Sequence, residues 1–117
     1  MLLIVDDDVG ILSTWRRALE KEGIEVELAT NAAEALEVMA RCAVTAVITD
    51  YDMPGKSGLW LLAQVQAQFP DARRVLSSGS PVGRGENIPV GRVVQSFLPK
   101  PVSVAQMMEL VHWIRGG

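Results

Sequence analysis

A single cysteine, Cys42, is all the thiol that this 117-residue chain contains. No internal disulfide can form, which excludes a disulfide-stapled secreted module and fits a reducing cytoplasm. No apolar run approaches the roughly 20 residues that a membrane-crossing helix needs, so no membrane partner is expected. Basic charge is in short supply: 11 Lys+Arg stand against 14 Asp+Glu, a net charge of −3. Without a basic stripe, direct contact with nucleic acid is not expected either. The opening Met1-Leu2-Leu3-Ile4-Val5 runs straight into three acids and lacks the basic start and long apolar stretch of a secretory signal. Internal repeats and low-complexity tracts are missing. What is present is 49% hydrophobic and 21% charged residues, the balance of a folded globular chain and not of a disordered one. The length suits one domain, 1–117.

Short apolar runs alternate with longer amphipathic ones. Leu2-Leu3-Ile4-Val5 reads as a strand buried on both faces. Ile11, Leu12, Trp15 and Leu19 follow at helical spacing, with Gly23 as the helix stop. Residues 25–29 alternate like a half-exposed strand, and Asn31 with Glu34 predicts a capping box on a second helix. A strand over 44–49 ends at Asp50, and a helix carrying Leu59, Leu62 and Val65 runs to Phe69 before Pro70. Further strands are predicted over 74–78 and 93–98, and Ser103 with Gln106 caps a last helix bearing Val104, Met107, Val111 and Ile114. This order predicts an α/β fold, a parallel sheet with helices on both faces. Where a fourth helix belongs, residues 79–92 hold four glycines and two prolines. That composition predicts an irregular loop or at most a single helical turn.

Ligands of open parallel sheets bind beyond the carboxyl ends of the strands. Asp6-Asp7-Asp8, Asp50, Ser77-Ser78 and Lys100-Pro101 all fall at those ends. Crowded acids need a compensating cation, and a hard divalent ion such as Mg²⁺ supplies one through carboxylates. Phosphoryl transfer uses the same parts: an ion, an in-line nucleophile and fixed positive charge. Asp50 is the candidate nucleophile, Lys100 a point charge and Ser78 a hydrogen-bond donor to a phosphoryl oxygen. Each also has a plainer role taken singly: a strand-end aspartate caps the next helix, a Lys-Pro is a solvated turn, a serine pair is loop entry. For Asp8 the capping role is the expected one. It is the convergence of these residues on one edge that favours the chemistry.

The whole chain resembles a receiver domain of the two-component response regulators. The acidic pair Asp6-Asp7 after Leu3-Ile4-Val5 is similar to the family's first motif. Asp50-Tyr51-Asp52-Met53-Pro54-Gly55, with Gly58 beyond, resembles its phosphoacceptor motif. Ser78-Gly79 matches its switch hydroxyl, and Phe97-Leu98-Pro99-Lys100-Pro101 its last-strand motif. The resemblance implies a doubly wound, flavodoxin-like (βα)5 fold with five parallel strands in the order 2-1-3-4-5. It implies Asp50 as phosphoacceptor, Asp6, Asp7, Asp50 and the Asp52 backbone carbonyl as ligands of Mg²⁺ (or Mn²⁺), and Lys100 as phosphoryl partner. Ser78 and Phe97 would form the switch. Implied partners are a sensor histidine kinase or phosphotransfer protein and an output domain or downstream protein, with a homodimer among the assemblies. The resemblance implies a cytoplasmic phosphoacceptor and not an enzyme, apart from self-catalysed phosphorylation and dephosphorylation.

Two other readings share some of these residues. Residues 46–52 have the apolar-strand-then-Asp-x-Asp shape of a haloacid-dehalogenase phosphohydrolase, but the motif falls on the third strand and no cap domain accompanies it. A binding-only pseudo-receiver lacks the acceptor, the acid pair or the lysine, all of which this chain keeps. Trp15 and the Met107/Val111/Ile114 stripe read as core, Trp60 as partly exposed near the active edge, His112 as a surface residue and Cys42 as a small hydrophobe at a helix end.

Overall fold

The computed structural model describes residues 1–83 and 85–116; Arg84, within the glycine-rich segment, and Gly117 lie outside the described residues. Five parallel strands, β1 (Leu2–Val5), β2 (Val26–Ala29), β3 (Ala46–Asp50), β4 (Arg73–Ser78) and β5 (Ser96–Pro99), form one sheet in the order β2-β1-β3-β4-β5. Between and after them come α1 (Val9–Glu20), α2 (Ala32–Arg41), α3 (Gly58–Gln68), α4 (Val90–Val93) and α5 (Val104–Ile114). This is the doubly wound arrangement the element order predicts.

The pleat sorts the strand residues into two cores. Leu2, Ile4, Ala46, Ile48, Val75 and Leu98 face α1 and α5, packing with Leu12, Leu19, Met107 and Val111. Leu3, Val5, Val47 and Leu76 point the other way, against Ala35 and Val38 of α2 and Leu59, Leu62 and Val65 of α3. Trp15 packs at the margin of the first core, Cys42 at the margin of the second, and His112 is exposed.

Helix ends follow their capping residues. Asp8 accepts from the Gly10 and Ile11 N–H groups at 2.9 and 3.2 Å. Behind α1, Ile24 N–H reaches Leu19 O and Gly23 N–H reaches Glu20 O, a Schellman stop closed by Gly23 at φ +74°. Ser103 and Gln106 make the expected reciprocal box on α5. At α2 the expectation is corrected: Asn31 does accept from Glu34 N–H, but the Glu34 carboxylate goes to Thr30, taking its N–H and hydroxyl both at 2.7 Å. The Thr30 N–H and then its hydroxyl, both donating to the carboxylate, hold the Glu34 carboxyl below its ordinary value.

The last strand also starts later than the apolar pattern predicts. Val93 ends α4, and the strand begins at Ser96. Val93 and Val94 are apolar because they are buried against the α2/α3 core, not because they pair in the sheet. The fourth helix is indeed a single turn. It is held from outside at its carboxyl end: Gln66 of α3 donates to Arg92 O at 2.8 Å, and buried Arg74 of β4 donates to Val93 O at 2.7 Å.

Gly58 opens α3 where it lies directly on the end of β3. A Cβ there would stand 2.1 Å from the Asp50 carbonyl oxygen and 3.1 Å from Leu76 Cδ1. Gly58→Ala is therefore expected to lower stability by about 1–3 kcal/mol or more, read by urea denaturation. Gly91→Ala, where an added Cβ meets nothing within 4 Å, should instead stabilise by about 0.5 kcal/mol.

Candidate functional site

The site is built by strand order. β1 and β3 are neighbours with Val5 opposite Thr49, so Asp6 and Asp50 come side by side one step further along. Asp6 is 5% exposed and Asp50 8%, while Asp7 is turned to solvent. One carboxylate oxygen from each of Asp6, Asp7 and Asp50 falls within 4.8 Å of the others. Asp6 is fixed by accepting from Asp8 N–H at 2.9 Å, which leaves its second oxygen for the site.

Lys100 enters from the far side. Its backbone N–H donates to Ser78 O at 3.1 Å, and the Lys100–Pro101 peptide that follows is cis. The ammonium lies 3.1 Å from Asp50 Oδ1 and 3.3 Å from Asp6 Oδ2, the two salt bridges found among the described residues. A cavity of about 830 Å³ opens from this cluster between α1 and α5, with Ile11, Trp15, Val102 and Met107 among its walls.

Burial pushes the Asp50 carboxyl above the ordinary aspartate value; Lys100 pulls it down, and Asp6 and Asp52 add to the rise. Burial works against the Lys100 ammonium too, but hydrogen bonding and attraction to Asp50 and Asp6 outweigh it and hold that amine above the usual lysine value. One ammonium among three carboxylates leaves the cluster short of positive charge. Its donors are all hard oxygens, and it fits a hard divalent cation better than a soft transition metal.

The other expected residues stand around this centre without touching it. Ser78 is engaged locally, donating to Ser80 O at 2.7 Å and accepting from Ser80 N–H at 3.0 Å. Phe97 is 51% exposed, its ring outside the core. The Asp52 side chain accepts from the Ser80 hydroxyl at 3.0 Å. Trp60, half-buried at the start of α3, lies under the Lys56 ammonium at 5.3 Å.

Sequence reasoning passed over Tyr51 and Ser80. Tyr51 is buried, and its hydroxyl accepts from Gly83 N–H at 3.2 Å and reaches Glu86 Oε1 at 3.5 Å. A signal was available: a lone tyrosine beside a strand-end acid is a large ring whose hydroxyl needs a partner when buried.

The chain belongs to the response regulator receiver domain family, whose model matches residues 2–112. It is thus a receiver of two-component signalling, a class of phosphoaccepting domains. Response regulator MprA of Mycobacterium leprae is 33% identical over 113 residues, 95% of this chain and 49% of that protein. Sensor kinase CckA of Brucella abortus is 32% identical over 94% of this chain but only 12% of its own length. The chain spans half or less of the curated relatives it matches first. Among solved structures, a CheY-like receiver from Methanospirillum hungatei superposes with a TM-score of 0.88 at 26% identity, covering 98% of this chain and 93% of that one. Response regulator TrrA of Thermotoga maritima, solved in complex with Mg²⁺ and a beryllium fluoride, gives 0.84 at 26% identity, covering 97% and 96%. No helix among the described residues is long and apolar enough to cross a membrane.

The raised Asp50 carboxyl sets a testable sign. The folded protein binds this proton more tightly than the unfolded chain does, so the ionised carboxylate costs stability above its folded pKa and costs nothing below the unfolded one. In chelator, Asp50→Asn should melt a few degrees above wild type at pH 7, and the gap should close as the pH falls through the aspartate range, read by calorimetry.

Proposed function

We propose that this receiver takes a phosphoryl group onto Asp50 from the phosphohistidine of a sensor kinase or phosphotransfer protein, or from a small phosphodonor. The observation that carries this reading is the meeting of the Asp6, Asp7 and Asp50 carboxylates with the Lys100 ammonium at one sheet edge. An oxygen of Asp50 attacks the donor phosphorus. The O–P bond forms as the P–N bond breaks, and the departing imidazole nitrogen keeps the electron pair and takes up a proton.

Asp6, Asp7, Asp50 and the backbone carbonyl of Asp52 would hold Mg²⁺, or Mn²⁺ in its place. Bound there, the ion supplies the positive charge that the crowded acids and the phosphoryl oxygens require. Lys100 meets a phosphoryl oxygen as a compact point charge. Ser78 leaves Ser80 for the phosphoryl group, and Phe97 turns inward behind it, which makes the event a two-state switch. Its chemistry is at most its own self-catalysed phosphorylation and dephosphorylation, in the cytoplasm.

Its output goes to an attached domain or a downstream protein. That reading draws support from the range of the relatives, which include a response regulator, a sensor kinase and a DNA-binding transcriptional regulator, NtrC of a Bradyrhizobium.

Incubation with Mg²⁺ and acetyl phosphate should add one phosphoryl group, mapped by mass spectrometry to Asp50. Chelator should abolish the labelling, and Lys100→Ala should slow it by about a hundredfold. Wild-type labelling of Asp50→Asn overturns the assignment.

A further inference from the structure

In this chain the segment that replaces a long fourth helix is fastened to the two residues that follow Asp50. Tyr51 is the first. Its backbone is bonded on both sides, its N–H donating to Ser77 O at 2.9 Å and its carbonyl accepting from Gly58 N–H at 3.0 Å. Its ring is buried, and its hydroxyl takes the Gly83 N–H at 3.2 Å, with the Glu86 carboxylate at 3.5 Å beyond. Asp52 is the second, accepting from the Ser80 hydroxyl at 3.0 Å. Further on, Val82, Ile88 and Val90 pack on the same core as Tyr51.

A regular helix could carry a shift along its own backbone hydrogen bonds. Here the described backbone on either side of Arg84, over 80–83 and 85–89, is irregular, and Gly83 and Gly85 adopt φ of +87° and +70°. Among its described residues one backbone bond is internal, Glu86 N–H to Gly83 O at 3.4 Å, so contacts from outside help to set its position. The anchor at its middle is the Tyr51 hydroxyl.

We infer that Tyr51 is a positioning residue: through its hydroxyl on Gly83 and Glu86 it couples the state of the acceptor turn to the segment in place of the fourth helix. This rests on the reading of Asp50 as phosphoacceptor. Tyr51 lies between Asp50 and the Asp52 carbonyl, so a change at either end of that turn moves the ring and, with it, the Gly83 amide. This route runs beside the one through Ser78 and Phe97 and uses none of their atoms.

The test compares amide hydrogen exchange over 79–93 with and without Mg²⁺ and beryllofluoride, in wild type and in Tyr51→Phe. The variant keeps the buried ring and removes only the hydroxyl. Wild type should show exchange in the segment shifting by about three- to tenfold on adding the acyl-phosphate mimic, and Tyr51→Phe should lose most of that shift while still binding the mimic. A tyrosine with a structural role alone would change exchange equally in both states and leave the response intact; that result overturns the coupling. So does a wild-type segment that ignores bound mimic. If Tyr51→Phe does not fold, Glu86→Ala, which removes one of the hydroxyl's two contacts, should lose part of the response, and Glu86→Gln, which keeps an acceptor oxygen, should retain it; a full response in Glu86→Ala overturns the coupling. Failure of wild type to bind the mimic at all overturns the phosphoacceptor reading and this inference with it, which separates the two failures.

Discussion

Three carboxylates forced together at the ends of adjacent strands are the constraint around which this protein is arranged. Parallel strands bring their carboxyl ends to one edge, and because β1 and β3 are neighbours, Asp6 and Asp50 cannot avoid each other. Burial makes the repulsion stronger by removing water from around both. Lys100 relieves it in part from across the sheet, at 3.1 and 3.3 Å, but one ammonium does not balance three acids. The strain is tolerated because two separate apolar cores, one on each face of the sheet, stabilise the strands that carry it.

The surroundings keep those acids from relaxing apart. Asp8, the third consecutive acid, is removed from the cluster by capping α1, and its own N–H pins Asp6. Gly58 lets α3 begin against the Asp50 carbonyl, closer than any side chain permits. The result is an edge on which three carboxylates face one ammonium, short of positive charge.

The carboxyl side of the sheet differs in its fourth helix. One turn, Val90–Val93, is capped by Gln66 and Arg74 from neighbouring elements, and the segment before it hangs on Tyr51 and Asp52. Side-chain hydrogen bonds here add to the packing of Val82, Ile88 and Val90 on the core. These contacts tie this part of the surface to the turn that follows Asp50.

Much of this was legible in the chain itself. The period-2 and period-3.6 patterns gave the elements and their order, strand-end polar residues gave the candidate site, and glycine and proline between 79 and 92 announced the shortened fourth helix, because backbone conformational cost is local. Three things were decided only by the tertiary structure. Val93 and Val94 look like strand, yet are buried under α3, since an apolar run does not say which neighbour covers it. Glu34 chose Thr30 over Asn31 because capping depends on donors that only the turn geometry presents. Tyr51 found Gly83 and Glu86, 32 and 35 residues away. Local sequence sets which conformations are cheap; it carries no record of which distant backbone group will arrive within 3.2 Å of a buried hydroxyl, and that contact exists only once the sheet has brought β3 and the segment after β4 together.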